Sequence, residues 1–170
     1  MLSEANWAAI SCVRGWMNSY ECAWLAAVAS VVPSWTELGT LAGRSAMAVG
    51  LHLPPNATLQ LVDIEYQPEF PDTLARLRAQ RPDLNITVFH GTTVEASLAL
   101  ADTAVVFIDA DHEYDSVKED ILAWRDKAKL LCGHDFDPYY AGLVRAVQEL
   151  LPAFYTPLPH IWVAAPLSAG

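Results

Sequence analysis

The stretch AVVFIDADHEYDSVKEDILAWRDKAKLLCGHDFD, residues 104–137, decides the fold. Two apolar runs, 104–108 and 130–132, each stop at polar residues, and an amphipathic segment joins them. Short buried strands connected by a helix are typical of neighbouring strands in a parallel sheet. Because the carboxyl ends of such strands face the ligand crevice of an open α/β sheet, we expect Asp109 and Asp135 on the rim of one site.

The rest of the chain repeats this alternation of short apolar runs and helical patterns. Further strands are expected at residues 35–38, 59–64, 86–89 and 161–165. Two helices open with the spacing of a capping pair, Asn18 with Glu21 and Thr92 with Glu95, and Asp72 is expected to cap a third. The alternation predicts an α/β, Rossmann-like, doubly wound and mostly parallel sheet with helices on both faces.

Length and composition favour a single globular domain. The chain has 170 residues, of which 53% are hydrophobic and 18% charged, a balance that supports a sizeable core and excludes disorder. We therefore expect one domain over residues 1–170, with residues 1–17 as a lead-in segment. The formal net charge of −10 argues against binding to nucleic acid, which needs clustered Lys and Arg.

The cellular setting follows from the apolar runs and the cysteines. The run 23–32 is too short to span a bilayer, so no membrane association is expected. Cys12, Cys22 and Cys132 are widely spaced without a CxxC pair, which argues against a disulfide framework or a zinc site. A cytoplasmic, reducing environment is the expectation.

A glycine-containing turn and a later acid indicate a nucleoside-type ligand. After the first strand, Gly39 permits a sharp turn and Gly43 lets a ligand approach the start of the next helix. Asp63 ends the second strand, about two dozen residues further on, where an acid suits ribose hydroxyls. The turn by itself would also suit an ordinary strand-to-helix connection.

The cluster after the fourth strand carries the candidate chemistry. Asp109 and Asp135 could hold a hard divalent cation through oxygen. His112 is close enough to remove a proton from a substrate oxygen, and its ordinary pKa lies near working pH. Two alternatives stay open: Asp111 and His112 cap the next helix and pair with each other, and His134 orients Asp135 instead of binding metal.

Five motifs together resemble the class I S-adenosylmethionine-dependent methyltransferases. They are ELGTLAGRS (37–45), LVDIE (61–65), FHGTT (89–93), FIDADHEYDSVKEDILAW (107–124) and GHDF (133–136). Within that superfamily the pattern is most similar to the small-molecule O-methyltransferase-like branch, which includes macrolide sugar O-methyltransferases and cephalosporin-hydroxylase-like proteins. The resemblance covers roughly residues 18–151.

The resemblance implies roles for individual residues. The cofactor site it implies consists of Glu37, Gly39, Thr40, Gly43, Ser45, Asp63, Gly91, Thr93 and Asp109. In that site the glycine turn holds the methionine part of S-adenosylmethionine, Asp63 the ribose, and the loop with Gly91 and Thr93 the adenine. Asp109 and Asp135 match the metal-binding carboxylates of Mg²⁺-dependent members, and His112 falls where those enzymes carry a general base.

The chain also departs from that pattern. Catechol-type relatives have an asparagine ligand where Phe136 stands, so a third ligand would have to be Asp111, Asp137, His134 or Glu65. Few residues follow Leu151 for a final strand pair, and no insertion is long enough for a substrate lid. Acceptor recognition would then depend on the N-terminal segment, the 137–140 loop or a neighbouring subunit of a homodimer.

We interpret the sequence as a cytoplasmic O-methyltransferase that acts on a small hydroxylated molecule, with S-adenosylmethionine as cofactor and Mg²⁺ assistance. Asp109 and Asp135 would hold the metal and His112 would take the proton. Two other functions stay open. One is a cofactor-binding but catalytically inactive partner protein of this fold, and the other is a metal-dependent hydrolase or hydroxylase-like enzyme.

Overall fold

The computed structural model describes residues 2–164, in which strands and helices alternate as predicted. The helices are α1 Glu4–Ser11, α2 Ser19–Ala29, α3 Arg44–Gly50, α4 Phe70–Gln80, α5 Thr93–Ala99, α6 Tyr114–Trp124 and α7 Ala141–Leu150. The strands are β1 Ser34–Leu38, β2 Thr58–Asp63, β3 Asn85–His90, β4 Thr103–Ile108, β5 Ala128–Phe136, β6 Phe154–Leu158 and β7 His160–Ala164. Ala165, expected in the last strand, lies outside the described residues.

The strands form one sheet in the order β3-β2-β1-β4-β5-β7-β6. The first five are mutually parallel, and the last two add an antiparallel pair at the β5 edge. The predicted Rossmann-like, doubly wound sheet is confirmed. Its order reverses between β1 and β4, and a crevice opens at such a switch point, outside the carboxyl ends of the strands.

Two hydrophobic layers cover the sheet, one on each face. Val105 and Phe107 of β4 pack with the layer that contains α1 to α4, whereas Val106 and Ile108 pack with the layer that contains α5 to α7. This follows from the period of two along a strand, which sends successive side chains to opposite faces. None of the helices within residues 2–164 is both long and apolar enough to cross a membrane.

Both predicted capping pairs are confirmed. The side chain of Asn18 accepts hydrogen bonds from the Tyr20 and Glu21 backbones, and Glu21 accepts one from the Asn18 backbone. Thr92 and Glu95 make the same reciprocal arrangement at α5. Each pair satisfies backbone N–H groups that have no partner within the helix.

Two expectations are corrected by the structure. The N-cap of α4 is Glu69 and not Asp72, which lies in the first turn. The helix starts earlier because Pro71, with its fixed φ and no N–H, suits a first turn. In addition, the segment after Leu151 does complete a strand pair, with β6 and β7 both paired antiparallel.

The ends of β1 and β4 meet at Gly39, which brings the glycine turn against the start of the polar cluster. Gly39 has a left-handed φ of 86°, and a Cβ there would lie 2.0 Å from the carbonyl oxygen of Asp109. The two backbones therefore touch at a point where no side chain fits. Asp109 N also donates to the Leu38 carbonyl at 2.8 Å, which fixes the contact.

Replacing Gly39 by alanine is expected to destabilise the fold by about 3 kcal/mol or more, from the positive φ and the backbone overlap together. Urea unfolding followed by tryptophan fluorescence measures the loss. Gly15→Ala is the control, because a Cβ at that position meets only side-chain atoms of Arg44. A loss for Gly39→Ala as small as for Gly15→Ala would contradict the contact.

Candidate active site

A cavity of about 1140 Å³ lies at the carboxyl ends of the parallel strands, at the switch point between β1 and β4. It runs from the glycine turn to the polar cluster after β4 and β5, and residues 14–17 form part of its wall. Ligand pockets in proteins usually measure about 300–1,000 Å³, so this cavity has room for more than one small molecule.

Most of the predicted site residues line this cavity. They are Gly39, Thr40, Ser45, Asp63, Thr93, Asp109, His112 and Asp135. The structure does not place Glu37, Gly43 or Gly91 on its surface. Whether the lining residues bind a cofactor stays a prediction, but the sequence correctly indicated which strand ends share one cavity.

The three other residues contact neighbouring side chains and do not line the cavity. Glu37 is fully buried beneath the turn, and its Oε1 accepts a hydrogen bond from Ser45 Oγ at 3.0 Å. Burial raises the pKa of this carboxyl well above its ordinary range, and Oε2 has no hydrogen-bond partner within the described chain. Gly43 is covered by Thr73 and Phe70, and Gly91 lies against the side chains of Phe89 in β3 and Glu95 in α5. Their effect on the cavity is therefore indirect.

Asp63 is held rigidly at the end of β2. Its carboxylate accepts hydrogen bonds from the backbone N–H groups of Leu41 at 2.7 Å and Glu65 at 2.9 Å. The first of these bonds ties the β2 end to the glycine turn. Each carboxylate oxygen retains a further lone pair, so the side chain can still accept a bond from a ligand in the cavity.

Thr93 joins α5 to α6. Its hydroxyl is hydrogen-bonded to Asp120, and its carbonyl accepts a bond from Trp124 Nε1 at 2.9 Å. Burial raises the pKa of Asp120 to about 6 despite the opposing effect of the Thr93 hydroxyl. The Thr93 hydroxyl therefore serves the packing of two helices, and a role towards adenine stays a prediction.

A β-bulge in β5 shapes the end of the cavity that is lined by Asp109, His134 and Asp135. The pairing of β5 with β7 shifts between Gly133 and Phe136, so two residues of β5 stand opposite one of β7. In a regular strand His134 and Asp135 would point to opposite faces. The bulge, with Asp135 at a left-handed φ of 58°, lets both side chains turn towards Asp109.

Asp109, His134 and Asp135 form a compact group of ligand-type atoms, one from each residue, all within 4.8 Å of one another. His134 Nδ1 lies 3.2 Å from Asp135 Oδ1 and 3.9 Å from Asp109 Oδ1. Two carboxylate oxygens and one imidazole nitrogen are a donor set that fits a divalent cation. Of the four candidate third ligands, the structure brings His134 into this group.

Burial and the charges of neighbouring residues shift the pKa values of all three members of this group. Burial raises the pKa of Asp109 to about 6, helped by the charge of Asp135 and opposed by that of His134. Burial also works against the charged forms of the other two residues, but the His134–Asp135 hydrogen bond and the surrounding charges outweigh it. The pKa of His134 therefore rises to about 9 and that of Asp135 falls to about 2.

His112 is fixed on the open side of Asp135. Its Nε2 lies 2.8 Å from Asp135 Oδ2, and its ring stacks on Tyr140 with centroids 4.1 Å apart. The side chain of Asp111 accepts bonds from the His112 and Glu113 backbones and from Ser116. Asp111 therefore holds the loop before α6, whose N-cap is Glu113 without a side-chain cap hydrogen bond, so the expected capping by Asp111 is not observed. The His112 ring pairs with Asp135 and not with Asp111.

The sequence named the N-terminal segment as one candidate for acceptor recognition, but it did not indicate how this segment is held or that Glu21 contacts the cluster. The guanidinium of Arg44 donates to the Val13 carbonyl at 2.8 Å and the Met17 carbonyl at 3.0 Å, which holds this loop beside the cavity. Within that loop Trp16 lines the cavity with 79% of its surface exposed. Glu21, recognised only as a capping residue, lies behind His134. Both contacts join distant parts of the chain, so local sequence carries no signal for them.

Comparison with known proteins gives a consistent result. A family model described as a methyltransferase domain matches residues 36–136. No curated protein sequence matches the chain.

Several solved structures share the fold. They include an O-methyltransferase from Bacillus cereus in complex with SAH, with 14% identity, 95% of this chain and 87% of that chain covered, and a TM-score of 0.69. The O-methyltransferase TomG from Streptomyces achromogenes, in complex with SAM, has 14% identity, coverage of 98% and 92%, and a TM-score of 0.70. A methyltransferase from Geobacter sulfurreducens has 14% identity, coverage of 98% and 90%, and a TM-score of 0.69.

The His134 pKa predicts how stability depends on pH in the metal-free protein. Because the folded-state pKa, about 9, exceeds the ordinary value of 6.5, the stabilisation is complete below pH 6.5 and is lost as the pH rises through 9. The shift corresponds to on the order of 3 kcal/mol. Thermal unfolding across this window should show a steeper loss for the wild type than for His134→Gln. Equal slopes would contradict the charged pairing of His134.

Proposed function

The chain belongs to the methyltransferase-domain family, and from this premise we propose that it is an S-adenosylmethionine-dependent O-methyltransferase of a small hydroxylated molecule. The observation that carries the proposal is the continuous cavity, which connects Gly39 and Asp63 at one end with His112 and Asp135 at the other. One part can hold a cofactor while an acceptor lies beside the ionisable cluster.

The cofactor end has the features that a nucleoside-containing ligand needs. Gly39 brings bare backbone to the cavity wall, and Asp63 presents a fixed carboxylate two strands from the polar cluster. S-adenosylmethionine, when bound, supplies an electrophilic methyl group on a sulfonium sulfur. The acidic residues along the cavity also suit a positively charged ligand.

His112 is proposed as the general base at the acceptor end. The Asp135 carboxylate accepts the hydrogen bond of the imidazole Nε2 and thereby leaves Nδ1 as the basic nitrogen. Stacking on Tyr140 restricts the ring plane. His112 would take the proton that an acceptor hydroxyl near Nδ1 gives up on methylation, and the cofactor would leave as the neutral thioether S-adenosylhomocysteine.

A divalent cation would be held by Asp109 and Asp135, with His134 completing the protein donor set. A bound cation lowers the pKa of a coordinated hydroxyl and fixes its position. The role of the chain's own residues is to place two carboxylates beside the proposed base. Both carboxylates lie at strand ends, so the rigid sheet sets their separation.

Replacing His112 by alanine is expected to lower the rate of methyl transfer about 10²- to 10⁴-fold, because it removes the proton acceptor. Affinity for S-adenosylhomocysteine should stay unchanged, since the cofactor end is intact. Mass spectrometry with isotopically labelled cofactor and a panel of hydroxylated acceptors measures transfer, and calorimetry measures binding. His90→Ala is the matched control, because His90 is an exposed imidazole at the end of β3 that does not line the cavity.

Unchanged turnover in His112→Ala would remove His112 from the mechanism. If the wild type binds S-adenosylhomocysteine but transfers no methyl group to any acceptor, the chain is a cofactor-binding partner protein. Product formed without label from the cofactor would indicate hydrolytic or hydroxylase-like chemistry at the same carboxylates.

Asp63→Asn should weaken cofactor binding and leave the rate of transfer nearly unchanged, the opposite of the pattern expected for His112→Ala. The amide keeps one oxygen to accept a bond but loses the charge, and hydrogen bonds to charged groups contribute about 1.5–3 kcal/mol. We therefore expect S-adenosylhomocysteine to bind about tenfold or more weakly, with little change in the rate at saturating cofactor. Isothermal titration with the cofactor product tests this, and equal affinity would contradict a ribose contact by Asp63.

A further inference from the structure

His134 lies between the carboxylates of Asp109 and Asp135 on one side and the carboxylate of Glu21 on the other. Its Nδ1 faces Asp135 and Asp109, at 3.2 Å and 3.9 Å from their nearest oxygens. On its other side Nε2 faces Glu21, whose Oε1 is 3.4 Å away. Nε2 makes no hydrogen bond with any part of the chain that the structure describes. The residue is more than nine-tenths buried, so water cannot readily replace that partner.

Glu21 is itself buried, with only 4% of its surface exposed. Its Oε2 accepts the hydrogen bond of the Asn18 backbone at 2.8 Å and closes the capping box of α2. Its Oε1 is left facing the imidazole of His134. A helix from the N-terminal part of the chain therefore delivers a carboxylate to the rear of the cluster at the carboxyl ends of β4 and β5.

We propose that the Asp109–His134–Asp135 centre binds a first-row transition ion such as Mn²⁺ in preference to Mg²⁺, with His134 Nδ1 as a ligand and Glu21 as the carboxylate that orients it. The inference rests on the cation-assisted form of the function proposed above, and it selects His134 from the four candidate third ligands.

The donor chemistry supports this choice of metal. Mg²⁺ strongly prefers oxygen ligands in octahedral geometry, whereas first-row transition ions accept imidazole together with carboxylate. In the sequence the asparagine oxygen of catechol-type relatives is replaced by Phe136, which offers no ligand atom. The structure instead supplies a nitrogen from His134, two residues earlier in the bulge.

Glu21 fits the role of a carboxylate behind a metal-binding histidine. A ligating imidazole commonly donates its second N–H to a carboxylate, which fixes the tautomer and the ring plane. Donation from Nε2 to Glu21 would leave the Nδ1 lone pair directed at the two aspartates. Glu21 is thus a positioning residue and touches neither the proposed metal nor the substrate.

Electron paramagnetic resonance of added Mn²⁺ tests the nitrogen ligand directly. Metal binding at histidine displaces a proton, so the titration is run at mildly alkaline pH. The pulsed spectrum of the wild type should show coupling from a directly bound ¹⁴N, and His134→Ala should abolish it. His112→Ala should retain it, which excludes the other imidazole of the cluster as its source. Coupling that survives in His134→Ala would overturn the assignment.

Glu21→Gln tests the orienting carboxylate. Loss of such a partner typically lowers metal affinity 10- to 100-fold, and a decrease in that range is expected for Mn²⁺. Asn18→Ala is the matched control, because it breaks the same capping box while it leaves the Glu21 carboxylate in place. Equal effects of the two variants would show that only the helix cap matters and would overturn the role of Glu21.

Competition with Mg²⁺ tests the preference. The Mn²⁺ signal should persist in a large excess of Mg²⁺ in the wild type, and His134→Ala should lose most of that selectivity. Absence of Mn²⁺ binding at millimolar concentration would overturn the proposal. The cluster would then be an ion-pair network in which the two histidines themselves neutralise the aspartates.

These outcomes are separable from failure of the proposed function. Calorimetry with S-adenosylhomocysteine in metal-free buffer measures the cofactor end alone. If the cofactor product fails to bind while Mn²⁺ shows nitrogen coupling, the methyltransferase proposal fails and the metal centre stands. The reverse result leaves the cofactor site and removes the centre.

Discussion

The candidate site depends on the β-bulge in β5. A strand without it would send His134 and Asp135 to opposite faces of the sheet, and only one of them could meet Asp109. The bulge is anchored by Gly133, where a Cβ would lie 2.5 Å from both the Ile108 carbonyl oxygen and the Trp162 ring. Tight packing of β4, β5 and β7 thus fixes the point at which the strand changes its alternation.

The bulge also determines which ionisable side chains meet in the cavity. Two carboxylates, Asp109 and Asp135, are brought together in a partly buried setting, which is unfavourable without positive charge nearby. His134 supplies that charge from inside the sheet, and His112 makes a hydrogen bond to Asp135 from the open side. Any ligand cation that enters must compete with these imidazoles or use them as ligands. The two histidines thus contact the same carboxylate, with His134 proposed as a metal ligand and His112 as the proton acceptor.

The sequence predicted those parts of the molecule that follow from local pattern. Alternation of apolar runs and helical repeats predicted the sheet. Polar residues at strand ends indicated that Asp63, Asp109, His112 and Asp135 lie near one cavity. The bulge could not be predicted, because period-two reasoning assumes a regular strand. The contact of Glu21 with the site arises from helix packing between distant segments, which a capping motif does not reveal.

The strand order has a consequence for folding of the chain during its synthesis. β7, the last strand in the described chain, lies between β5 and β6 and pairs with both. During synthesis β5 therefore emerges with one open edge that no earlier segment can cover. Open strand edges recruit other chains, and slow completion of a sheet prolongs that exposure. The polar residues at the end of β5 would then limit aggregation of the nascent chain in addition to building the cavity.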